Sequence, residues 1–573
     1  MDASSRRLRF PTGARALLHN AAKRGDVLGG LALSFYLLVA HGAALVGHIS
    51  RSDSRWCFAD DARIWLYSLY RYETPDAFHG DRIVDYMLAS MPDGYRLMFR
   101  VLGPIVGVGP LSKALPYVLL VIILGAIGAA SHRLGGKIAV LGSLSLALGS
   151  AYLLGRMAGG LPRAFALPFF ACAAACLVYG RIRALGALAV VGVTFYPVIG
   201  VTLGCAFALA LLLPAGDRGD AAAWSWRKRC AILAAVGAAT CSLALPVVLR
   251  MRAWGPAISP AMWPDYPEAG PRGRLQGEDL PPFPNVAAAI EHSLHLGVLG
   301  AGDPLVRATH VGAANTWILS AVAAVAALLG VLQARRRPEW RRLLVLILTI
   351  ALTYQLALLS FPLLYVPERY VTYAAVILGL IALPSAGAWH VRKRFPPFTA
   401  LAFGWCVLLL ACFGAAGSKE TGMTVGLAPH ERKLFRDLEQ LPQSVLIAGW
   451  PDEVMDDIPY LTHRSVLFTR ETHQPWNTKY VELLRARTLS LIAAYSATSR
   501  APLLELRNRY HVTHLLVDRD HFTHPPTYFA PFDRVANAAW AAARGSRWAV
   551  LEAIPYAAVL EDRRHVLLDL SKL

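Results

Sequence analysis

The stretch FADDARIWLYSLYRYE, residues 58–73, places two carboxylates, Asp60 and Asp61, just beyond the first long apolar run of the chain. One such carboxylate can take a proton from a nucleophile held beside it. Both can equally cap the helix that starts there and complement its dipole. Spacing alone leaves the two readings open. Complementary groups lie elsewhere: Arg163 in Gly160-Leu161-Pro162-Arg163, and Arg369 in Pro367-Glu368-Arg369-Tyr370. A guanidinium stays protonated and binds phosphate oxygens through two parallel donors, although an arginine at a helix end also snorkels to lipid headgroups. Arg96, Arg156 and Tyr370 are weaker candidates for substrate binding.

Further along, AGWPDEVMDDIP forms an acidic, aromatic-edged loop after a predicted strand, with Trp450 and Asp452 suited to sugar hydroxyls if they are not simply solvated. The pairs His511/His514 and His521/His524 have a spacing that could bind a cation, but on a strand start two such side chains need not converge. No metal and no cofactor are expected. Of eight cysteines all but Cys57 lie in or beside apolar runs, so no disulfide framework is implied.

These residues sit in a membrane protein. The 573 residues are 55% hydrophobic and 17% charged, with mean hydropathy +0.42, too apolar for an ordinary soluble chain. The net charge of +19 is spread over short segments between apolar runs, which speaks for membrane topology and against a nucleic-acid partner. Apolar runs of near-spanning length predict about eleven helices, at 27–47, 114–131, 137–155, 164–180, 184–195, 197–214, 230–249, 314–333, 343–360, 370–388 and 397–416. The first is read as a retained helix rather than a cleaved signal. The stretch from Ala184 to Pro214 is too long for one helix and short for two, and Tyr196-Pro197 marks the expected break.

Basic residues test this count. With the N-terminus (1–26) in the cytoplasm, His132 to Lys137, Arg181 and Arg183, Arg227 to Arg229, Arg335 to Arg342 and Arg392 to Arg394 all fall on the inner side. The outer side then holds loop 48–113, the turn from Arg156 to Arg163, loop 250–313 and the tail from 417 to 573. In the first loop, RIWLYSLYRY and DRIVDYMLASM predict amphipathic helices lying in the membrane interface. The proline-rich loop 250–313 predicts an ordered external lid. In the tail, short apolar runs at 444–449, 465–469 and 513–518 alternate with helical stretches at 479–497 and 502–511, which predicts a small α/β domain. The predicted fold is thus mainly α: a polytopic membrane helix bundle, 27–416, with an extracytoplasmic α/β domain.

An acidic pair after the first membrane helix, followed by interfacial helices in a long outer loop, resembles the GT-C superfamily of integral-membrane glycosyltransferases. The nearer likeness is to bacterial members with a DDAR-type start, a segment like Asp85-Tyr86 through Gly94-Tyr95-Arg96, a GLPRAFALP turn and a PERY segment. It spans roughly residues 27–390. The resemblance implies that Asp60 or Asp61 is a general base and that a polyprenyl-phosphate sugar is the donor; independently of it, Arg163 and Arg369 supply positive charge on the same face for a departing phosphate. It implies a glycan, lipid or protein acceptor, membrane lipid as a partner, and residence in a bacterial inner membrane. Asp60 is preferred as the base, being the first carboxylate past the membrane helix. The turn at 156–163 is too short and basic for an Asp-x-Asp or Glu-x-x-His ligand set, which favours a metal-independent reaction. A glycolipid transporter or a non-catalytic scaffold are the alternatives. Coupled transport usually needs ionisable residues at mid-helix depth, and this chain has almost none there.

Overall fold

The computed structural model describes residues 54–213, 224–274, 337–360, 366–394 and 425–573, with a few single residues elsewhere. The described residues open with strand β1 (Cys57–Phe58) and helix α1 (Asp60–Trp65), which runs on as a 3-10 helix, Tyr67–Tyr72. Helix α2 (Arg82–Ser90) is capped by Asp81, whose carboxylate accepts from the Ile83 and Val84 amides, and α3 (Asp93–Val106) follows. Here the structure corrects an expectation. RIWLYSLYRY does not lie on a lipid surface: Leu66, Tyr67, Ser68, Leu69 and Tyr70 are all buried. The tail covers them, with the Tyr70 ring 4.0 Å from His463.

The membrane bundle continues with α4 (Val108–Gly135), α5 (Lys137–Gly149), α6 (Ala151–Met157), α7 (Ala166–Tyr179), α8 (Ile182–Val193), α9 (Pro197–Leu212), α10 (Trp226–Arg252), α11 (Pro338–Leu359) and α12 (Arg369–Arg394). Among the described residues five segments are long and apolar enough to cross a membrane: α4, Pro162–Tyr179, α10, α11 and Arg369–Ala388. Helix α12 is central, with Val371, Ile377 and Leu380 fully buried, while α10 buries no residue. An apolar helix that leaves most of its surface uncovered by protein is stable only in lipid.

Three of the eleven expected helices, 27–47, 314–333 and 397–416, lie wholly or mostly outside the described residues. The expected crossing 137–155 is broken at Ser150, whose backbone is extended, and the two halves are bent by 59°. The Ala184–Pro214 stretch forms two helices of 12 and 16 residues. At 1.5 Å per residue these reach about 18 and 24 Å, short of a hydrocarbon core of roughly 30 Å. They pack on each other closely: a Cβ on Gly192 would come within 2.4 Å of Ile199, and one on Gly200 within 2.5 Å of Val193. The small residues permit the backbone approach that membrane helices use in place of a hydrophobic driving force.

The tail forms strand β2 (Val425–Gly426), α13 (Glu431–Glu439), β3 (Leu446–Gly449), α14 (Glu453–Thr462), β4 (Ser465–Val466), α15 (Thr478–Tyr495), α16 (Ala501–Tyr510), β5 (His514–Asp518), α17 (Phe532–Ala543), α18 (Ala549–Ala557), β6 (Ala558–Glu561) and β7 (His565–Asp569). Its sheet has the order β4-β3-β5-β7-β6. The first three strands are parallel, and β5-β7 and β7-β6 are antiparallel. The expected strands and helices are present. The β6-β7 hairpin and α17–α18 come in addition, and the hairpin extends the sheet beyond β5.

The tail is seated on the segments 57–90 and 251–274. Strands β1 and β2 pair antiparallel, joining Cys57 to Gly426. Tyr86 stacks on Tyr480 with ring centroids 3.6 Å apart, and its hydroxyl donates to Asn477 Oδ1 at 3.1 Å. Residues 251–274 of the expected lid rest on α15, where Arg485 holds the fully buried Glu268 at 2.6 Å.

Candidate active site

Helix α1 carries Asp60 and Asp61 on its first turn, and the structure sends them to different partners. Ala59 provides no side-chain cap, so the helix N-terminus relies on these carboxylates for favourable charge. Asp61 Oδ2 accepts a short charged hydrogen bond from Arg163 Nη2. Asp60 lies 2.6 Å from Arg63 one turn on, and its side chain is 57% exposed. The Asp61 contact depends on a sharp turn between α6 and α7. Gly159 and Gly160 both have positive φ, and a Cβ on Gly159 would stand 3.0 Å from Ala62 Cβ. Glycine alone allows that turn to press against α1, and Pro162 then starts the short 3-10 helix that presents Arg163.

Two further arginines converge on this place. Arg156 Nε donates to the Tyr373 hydroxyl at 3.3 Å, and its guanidinium lies 5.6 Å from that ring. Arg369 Nη1 donates to the Tyr196 hydroxyl at 3.3 Å. The Tyr196 and Tyr373 rings meet edge to face at 6.3 Å. Arg156, Arg369 and Arg163 are all near enough for their fields to act on the Tyr373 phenol. Arg163 Nε is buried and has no hydrogen-bond partner among the described residues. Tyr370 is buried beside Arg369. Three guanidinium groups thus gather near two carboxylates, Asp61 and Glu368. Such a surplus of half-buried positive charge suits an anion with several oxygens.

The opposite side of α1 is built differently. Arg63, 8% exposed, donates to Asp457 Oδ1 at 2.9 Å and reaches the Glu453 carbonyl. Burial works against its charge, but Asp457, Asp456 and Asp60 outweigh it and hold the guanidinium firmly protonated. Burial pushes Asp456 up to about 7 and Asp457 up to about 6, the latter despite Arg63. Glu471, also raised by burial, pairs with Arg274 at 2.8 Å. Sequence reasoning missed this cluster. Its only signal was the i,i+3 spacing of Asp60 and Arg63, since Asp457 stands 394 residues from Arg63.

Other expected site residues fall elsewhere. Arg96 is held by the Tyr72 hydroxyl and by Asp93. Trp450 is no exposed edge for a sugar. It is 4% exposed, in an aromatic core with Tyr495, Tyr528 and Trp540, because β3 carries it inward. Asp452 caps α14 through the Val454 and Met455 amides.

No protein-family model matches the chain, and no curated protein matches it. Solved structures do. ArnT from Cupriavidus metallidurans in the apo state is similar with TM-score 0.51 and 12% identity, over 94% of this chain and 98% of that one. The same protein bound to undecaprenyl phosphate gives 0.49 and 11% over the same spans. The Archaeoglobus fulgidus oligosaccharyltransferase AglB, in complex with an inhibitory peptide and a dolichol-phosphate, gives 0.47 and 13%, over 91% of this chain and 72% of that one. At such identities the likeness is one of fold, and with ArnT it runs nearly end to end in both chains. The chain shares the overall fold of ArnT.

Proposed function

We propose that the protein is a membrane glycosyltransferase that moves a sugar from a polyprenyl-phosphate donor to a glycan, lipid or protein acceptor, with Asp61 as general base. The reaction runs on the outer face of the membrane, where the positive-inside pattern also sets the tail. Asp61 takes the proton of the acceptor nucleophile as that atom bonds to the anomeric carbon. The bond from that carbon to the phosphate oxygen breaks, and polyprenyl phosphate leaves with the electron pair. Arg163, Arg156 and Arg369 bear the charge that develops on it. The observation that carries this reading is the contact of Asp61 with Arg163 beside the other two guanidinium groups. It favours Asp61 over Asp60, whose carboxylate is directed to Arg63. Donor phosphate would compete with Asp61 for Arg163, so arrival of the donor frees the base. The bound undecaprenyl phosphate of the ArnT relative and the dolichol-phosphate of AglB are ligands of the chemistry this site suits.

A transporter reading fits less well, because the ionisable residues of the five long helices stand at their ends. The test compares lipid-linked sugar intermediates by mass spectrometry in cells expressing the native chain, Asp60→Asn or Asp61→Asn. The donor should accumulate only in the second variant. Unimpaired consumption of the donor by Asp61→Asn would reject the assignment.

A further inference from the structure

The parallel part of the tail's sheet has the order β4-β3-β5. From β3 the chain first moves to one side, to β4, and then crosses to the other, to β5. Between β3 and β5 the connections therefore diverge, and at such a switch point the carboxyl ends of parallel strands frame a crevice that α/β sheets use for ligands. Three ligating side chains meet there. Asp452 follows β3, Asp518 ends β5, and His521 lies on the 3-10 turn after it.

We propose that this crevice is a divalent-cation site, formed by Asp452, Asp518 and His521 and suited to an ion of the Mn2+ or Zn2+ kind. One ligand atom from each lies within 4.8 Å of the others. His521 Nε2 is 3.6 Å from Asp518 Oδ2 and 3.9 Å from Asp452 Oδ2. Those distances are too long for hydrogen bonds, but ligands about 2.1 Å from one ion stand roughly 3 to 4 Å apart. The imidazole is only 8% exposed, and its Nε2 is aimed between the two carboxylates. Its Nδ1 is bonded to the Tyr495 hydroxyl at 3.0 Å, which fixes the ring as an outer partner does for a metal-bound histidine. Asp452 uses Oδ1 for the helix cap and keeps Oδ2 for the crevice; its side chain is 32% exposed, which leaves an entry path. Mixed carboxylate and imidazole ligands suit Mn2+ and Zn2+ better than Ca2+.

Arg564 is the competing cation, donating to Asp518 Oδ2 at 2.6 and 2.7 Å from the solvent side. It supplies a sharp control. The sequence spacing His521/His524 is not the site, since His524 is exposed and bonded to Thr523.

The purified full chain in detergent, stripped with a chelator, would be titrated with Mn2+ by electron paramagnetic resonance and with Zn2+ by calorimetry. One ion should bind per chain. Asp452→Asn, which can still cap the helix, and His521→Ala should each weaken binding at least tenfold, while Arg564→Gln should strengthen it. Absence of stoichiometric binding, or binding unchanged in Asp452→Asn and His521→Ala, would overturn the proposal. So would weaker binding in Arg564→Gln, which would make the cluster a purely structural ion-pair network.

Discussion

Helix α1 separates two charged regions made from neighbouring residues. On one side Asp61 meets Arg163 near Arg156 and Arg369, with more positive than negative groups. On the other, Arg63 is matched by Asp457, Asp456 and Asp60. Among the described residues the first holds three guanidinium groups to two carboxylates, Asp61 and Glu368. The second is balanced from within, between parts of the chain that are distant in sequence. The difference separates a cluster in which arginines outnumber carboxylates from a joint between two parts of the fold, though both are built of arginine and aspartate.

The largest test of this contrast is kinetic. Asp61→Asn should lower sugar transfer by about a hundredfold to ten-thousandfold, the usual worth of a positioned base. Asp60→Asn should change it far less, because Arg63 keeps Asp457. Equal losses in both would erase the distinction. Arg163→Ala should reduce turnover by about a hundredfold or more, and Arg369→Ala should raise the donor concentration needed for half-maximal rate. An unchanged donor dependence in Arg369→Ala would remove it from the phosphate site.

On the other side, Asp457→Ala takes from a buried guanidinium the carboxylate it is bonded to, leaving Asp456 and the exposed Asp60 nearby, and should cost about 3 kcal/mol of stability. Hydrogen exchange in α14 and α1 would report it, with transfer impaired only as far as the tail loosens. The same region should respond to pH. Asp456 near 7 and Asp457 near 6 both lie above the ordinary 3.8, so the folded state holds more protons than the unfolded chain in that window. Protection of α14, corrected for intrinsic exchange rates, should fall as pH rises from about 4 to 7 and then level off. A rise over that window would contradict the burial of these carboxylates. The smallest effect is expected from Tyr373→Phe, which removes one hydrogen bond to Arg156, worth about 1 kcal/mol, and should alter donor affinity only a few fold.

Much of this architecture was legible because it is local. The acidic start of α1, the break at Tyr196-Pro197 and the strands β3 to β5 are each written in a few adjacent residues. The pairing of Asp61 with Arg163 could be expected only as a shared outer face, since no local rule measures a separation of 102 residues. The break at Ser150 escaped because an uninterrupted apolar run looks the same whether its helix is straight or bent. Trp450 misled for a similar reason: an aromatic residue next to acidic ones looks like a sugar platform until the sheet turns it inward. The switch-point cluster of Asp452, Asp518 and His521 was hidden because strand order, which brings it together, is not a property of any one segment.

The joint also sets a schedule for synthesis. Arg63 waits for an aspartate 394 residues downstream, and β1 waits for β2 at 425–426. At 5–20 residues per second this is a delay of roughly 20 to 80 s. The first loop therefore leaves the ribosome long before its covering tail exists. A chain truncated between Arg369 and the tail would carry Asp61 and all three arginines, yet lack the tail that packs on Tyr70. The cover of the first loop is therefore among the last parts of the fold to be made.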